Sequence, residues 1–113
     1  MDNVSNEFLL ITIHDLHGLK RNVEKALAQL EWGDFHYKLD DESNSIAIIM
    51  KHISGNLISR WTDFLSTDGE KPDRKRDSEF IDEFTSKDEL MNFWEKGWEC
   101  LFNVLSSLQP NDL

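Results

Sequence analysis

Apolar residues recur along the chain in three long stretches with a helical period. In the first, Leu9, Ile13, Leu16, Val23, Leu27 and Leu30 follow spacings of three, four or their sums. At about 100° per residue they fall on one stripe, which predicts a helix over residues 5–30. Lys20, Arg21, Glu24 and Lys25 lie off this stripe or at its rim, and Gly18 weakens the middle of the helix slightly. The helix is expected to stop near Trp32-Gly33. After it, Phe35, Tyr37 and Leu39 alternate with polar residues, which predicts an extended connector over 34–42 with one side tucked inward. Asp40, Asp41 and Ser43 are candidate N-caps for the second helix.

The second stretch predicts a helix over 43–65. Its main stripe is Ile46, Ile49, Met50, Ile53, Leu57, Trp61 and Phe64, and a second is Ala47, Ser54, Ile58 and Leu65. A helix apolar on so much of its circumference is expected to sit among several neighbours. Residues 66–85 form a long loop, unusual in a compact domain and often functional. Gly69 and Pro72 mark turns there, and Phe80, Ile81 and Phe84 are candidate anchors to the core. Ser86-Lys87-Asp88-Glu89 reads as a capping box that opens a third helix over 86–108. Leu90, Trp94, Trp98, Leu101, Leu105 and Leu108 give its core stripe, with Phe93, Gly97, Cys100 and Val104 beside it. Pro110 ends it. The fold class is all-α, an up-down bundle of three long helices. In the simplest joining, neighbours run antiparallel.

With 113 residues the chain is one domain, 1–113. Acids outnumber bases 22 to 12, for a net charge of −10. Such a surface does not suit phosphate backbones or anionic bilayers, so neither nucleic acid nor membrane is an expected partner. The longest apolar runs, Phe8 to Ile11 and Ile46 to Met50, fall far short of a membrane span. A single cysteine, Cys100, allows no internal disulfide, and the expected compartment is the cytoplasm. Charge is least dense over residues 43–67, the candidate for the most buried element.

Candidate chemistry is sparse. His52 lies between Ile49 and Ile53 near the edge of the second helix's main stripe. An imidazole there is either a metal ligand or a packed, hydrogen-bonded residue. His14 and His17 are spaced i, i+3 but project away from their stripe, and His36 sits in the connector. The chain has no HExxH, no CxxC and no pair of histidines four apart, so no complete zinc set is legible. Cys100 reads as a small buried residue. The Arg74-Lys75-Arg76 cluster is flanked by Asp73, Asp77 and Glu79 and reads as a neutralised surface.

The run Ser43-Asn44-Ser45-Ile46-Ala47-Ile48-Ile49-Met50-Lys51-His52-Ile53-Ser54-Gly55-Asn56 resembles the second-helix signature of the DinB/YfiT-like superfamily. Residues 59–65, 68–72, 76–80 and 97–102 are similar to a branch of that superfamily without an established function. The resemblance implies a bundle of four helices with a long connection between the second and third. Better-known members resemble metal-dependent thiol transferases or hydrolases with three histidines, one late in the second helix and a pair on the last. His52 matches the first. The last helix and its pair are not in this sequence, so the metal position implied at His52 is incomplete.

The expected function is therefore a self-associating or ligand-binding bundle, leaning away from an enzyme. Its expected pocket lies near Asn56, Trp61, Arg74 and Arg76. The alternative is a metal-dependent transferase or hydrolase built around His52. No cofactor is expected unless another chain or segment completes a zinc or nickel site. A homodimer is the expected assembly, through a groove at the missing fourth position lined by Phe93, Cys100 and Val104, or through exchanged helices.

Overall fold

The computed structural model describes residues 2–62 and 84–108. Three α-helices dominate them: α1, Asp2–Leu27; α2, Ile46–Trp61; and α3, Lys87–Ser107. No strand occurs among the described residues. Phe64, Leu65, Arg74, Lys75, Arg76, Phe80, Ile81 and Pro110 lie outside them.

Helix α1 begins at Asp2 and ends three residues earlier than its periodicity suggests. After Leu27 the hydrogen bonds tighten: Gln29 N–H donates to the Ala26 carbonyl and Leu30 N–H to the Leu27 carbonyl. The connector is not the extended strip that alternation predicts. Trp32–His36 wind into a short 3-10 helix, closed by Glu31 and Asp34 in a reciprocal capping box. Phe35 is wholly buried, whereas Tyr37 and Leu39 are exposed. The tight turn breaks the period of two, so only one of the three aromatic or aliphatic residues reaches the core.

Asp40 does not cap α2. Its Oδ1 accepts from the backbone N–H groups of Glu42 and Ser43 and from the Ser43 hydroxyl, at 2.8–2.9 Å, closing a turn before the helix. The hydroxyl bond from Ser43, then those backbone bonds, hold the Asp40 carboxyl below its ordinary range. The cap is Ser45, buried, whose Oγ accepts from Ile48 N–H at 3.2 Å.

The inward face of α2 also departs from its apolar pattern. Ala47, Met50 and Ser54 are buried, with Leu57, Ile58 and Trp61 partly so, whereas Ile49 and Ile53 are exposed. Small residues win the interface because α3 comes so close. A β-carbon placed on Gly97 would stand 2.8 Å from Ser54 Cα. The Ser54 hydroxyl donates to the Phe93 carbonyl at 2.5 Å, which satisfies it inside the contact.

Helix α3 follows its pattern closely. Leu90, Trp94, Trp98, Leu101 and Leu105 are all buried. Ser86 Oγ caps it by accepting from Glu89 N–H at 3.1 Å. The expected return bond from Glu89 goes one residue further back, where Glu89 accepts from the Thr85 hydroxyl at 2.8 Å. Phe93, Cys100 and Val104 are half-buried.

Helices α1 and α3 run antiparallel. Lys87 Nζ reaches the Leu30 carbonyl at one end, Lys20 meets Glu95 midway, and His17 meets Phe102 at the other. Hairpin turns alone would make the first and third helices parallel. The 25 residues between Trp61 and Lys87 are long enough to return the chain along the bundle, since an extended residue reaches about 3.3 Å.

Candidate functional site

His52 is exposed on α2 between Ile49 and Ile53. Asn56 follows one turn later on the same side and is half-buried. Trp61 is nine residues beyond His52, which at about 100° per residue turns it to the opposite side, where it packs on the core. The helix therefore does not bring His52 and Trp61 together. Arg74 and Arg76 fall outside the described residues.

The other histidines do not gather at His52. His14 is exposed on α1. His17, expected to be merely solvated, lays its ring flat on Phe102 of α3, 3.7 Å between centroids and 4° between planes. His36 sits edge-on to Trp32. Among the described residues, no group of three or more His, Cys, Asp or Glu side chains is placed to hold a metal ion. The described residues thus do not fit the metal that the DinB/YfiT-like resemblance implies. Cys100 is a half-buried free thiol.

What the fold does assemble is an aromatic ladder and an ionic latch between α1 and α3. The ladder runs His17, Phe102, Trp98, Trp94, from an exposed ring to a buried one. The aromatics of α3 recur every four residues, the signal that could have shown it. The indole N–H groups of Trp94 and Trp98 are buried without a hydrogen-bond partner. In the latch, Lys20 Nζ lies 3.1 Å from Glu24 and 2.8 Å from Glu95. Burial alone would lower the Lys20 pKa, but the hydrogen bonds it donates to Glu95 and Glu24 outweigh that effect and raise it.

The remaining feature is apolar. On α1, Leu9 and Leu27 are buried on the core stripe. Val4, Phe8, Ile11 and Leu19 occupy another side of the helix and are 71%, 60%, 59% and 54% exposed. At 100° per residue they span about a quarter of the circumference, centred well away from the core stripe. Scattered exposed apolar residues need no explanation, but four on one face of one helix form a patch. Among the described residues, no helix is long and apolar enough to cross a membrane.

A family model described as a protein of unknown function (DUF1572) matches residues 3–113. No curated protein and no solved structure matches the chain.

Proposed function

The chain belongs to the DUF1572 family, and from that premise we propose that it acts as a self-associating helical module, a homodimer, and not as a metal-dependent transferase or hydrolase. One observation carries the reading: α1 turns Val4, Phe8, Ile11 and Leu19 to solvent while its core stripe is already satisfied. Apolar surface left in water costs about 25 cal/mol per Å², so covering such a face favours association. The net charge of −10 opposes close approach, but physiological salt screens charges beyond about 8 Å.

The three helices among the described residues, with 25 residues between α2 and α3, also support treating the fold as a DinB-like bundle, with His52 at the position of a metal ligand. Among the described residues no group of three or more His, Cys, Asp or Glu side chains is placed around it. An incomplete ligand set holds a divalent ion weakly. Light scattering at micromolar concentration tests the main reading. Twice the 13.2 kDa chain mass is expected, and a clean monomer refutes it.

A further inference from the structure

The charges of α1 are sorted along its length. Residues 2–15 hold Asp2, Glu7 and Asp15 and no lysine or arginine, whereas residues 16–27 hold Lys20, Arg21 and Lys25 against Glu24 alone. Lys20 is engaged with Glu24 and Glu95, which leaves the exposed Lys25 beside the apolar face. Glu7 and Lys25 are eighteen residues apart, five whole turns, so they flank the face on the same side.

Resting on the self-association just proposed, we propose that this face of α1 docks on the same face of a second copy, with the two helices antiparallel. A parallel pair would set acid half on acid half and base half on base half. The antiparallel pair sets Glu7 of each chain beside Lys25 of the other, and a two-fold axis makes that contact twice. With the axis near residue 15, Ile11 of each chain meets Leu19 of the other, and Phe8 and Val4 lie along the basic half of the partner helix. The helix dipoles are opposed in the same arrangement. Two polar residues on the face work against the pair: the Asp15 carboxylates of the two copies come close across the axis, and Asn22 of each comes opposite Phe8 of the other.

Sedimentation equilibrium on the full chain and on four variants decides the matter, with circular dichroism as a check on folding. Ile11→Asp, at an exposed position, is expected to leave helicity intact and weaken the dimer at least a hundredfold. Glu7→Lys and Lys25→Glu are each expected to weaken it about tenfold at low salt, and a mixture of the two to recover heterodimer at wild-type strength, because both cross-pairs become opposite in sign. Asp15→Asn is expected to tighten it. A dimer that Ile11→Asp and both charge reversals leave unchanged overturns the antiparallel α1 pair while self-association stands. A monomeric wild type overturns both and leaves the face to a different chain or segment. If Ile11→Asp fails to fold, the charge-reversal mixture decides alone: no recovery refutes the pairing.

Discussion

Gly97 of α3 faces Ser54 of α2 so closely that a β-carbon on the glycine would stand 2.8 Å from the serine Cα and nearer still to its hydroxyl. The neighbour is backbone and cannot swing aside, so Gly97→Ala must push the helices apart. Alanine gains about 1 kcal/mol of helix propensity over glycine, but overpacking a tight core costs about 1–3 kcal/mol. Displacing Ser54 also endangers its bond to the Phe93 carbonyl. We expect a net loss of about 1–2 kcal/mol, read as a lower urea midpoint with an unchanged slope. Stability equal to or above the wild type would show that the helices do not meet at this pair.

How much of the fold was legible depends on what each helix presents. The α3 stripe is readable because its large residues sit at helical spacing among polar ones, and Leu90, Trp94, Trp98, Leu101 and Leu105 are all buried. Helix α2 is apolar nearly all round, so period alone cannot choose its inner face. Ala47 and Ser54 are the buried residues, and at Ser54 the choice is made by Gly97 of α3 opposite it, a fact that belongs to two helices at once. The 3-10 helix at Trp32–His36 was hidden because alternation and a tight turn can share the same residues. At the candidate site, the exposure of His52 and the stacking of His17 on Phe102 are tertiary outcomes. The second face of α1 was present as Phe8, Ile11 and Leu19 at helical spacing, but the stronger core stripe overshadowed it.

Metal binding by this chain is expected to be no tighter than that of a surface histidine. His52 is exposed, and the described residues place no three-ligand group around it. A three-ligand zinc site gains its strength from the set, each imidazole being oriented by its own partner. Calorimetric titration of untagged protein with zinc and nickel is the measurement. Tight, stoichiometric heat that disappears in His52→Ala would overturn the expectation.

The turn before α2 predicts an acid dependence. Asp40 accepts three hydrogen bonds as a carboxylate, and they hold its pKa below the ordinary value of 3.8. A carboxyl with a depressed folded-state pKa contributes stability above the unfolded value and loses it as pH falls through the folded one. The contribution is therefore full at neutral pH and fades below about pH 3.8. Asp40→Asn keeps one acceptor and removes the charge. Urea unfolding at several acid pH values is expected to show a smaller loss for Asp40→Asn than for the wild type, and parallel curves would refute this.

The latch between α1 and α3 predicts the opposite edge of the pH range. Lys20 bridges Glu24 on its own helix and Glu95 on α3, and its side chain is 14% exposed. Its partners are more open, Glu95 at 58%, so water and salt discount the pair to about 1 kcal/mol or less. The hydrogen bonds to Glu95 and Glu24 raise the pKa above 10.5 despite the opposing effect of burial. A lysine with a raised folded-state pKa contributes fully below its unfolded value and loses that contribution as pH climbs through the folded one. Lys20→Met keeps most of the apolar stem against the helices and removes the ammonium. The wild type is expected to exceed Lys20→Met by up to about 1 kcal/mol between pH 7 and 9. The gap should close as pH rises above 10.5. It should also narrow in 1 M salt, where the Debye length falls to about 3 Å. A gap that persists undiminished at high pH and high salt would mean that α1 is held to α3 by packing alone, through His17 on Phe102 and the apolar stripe.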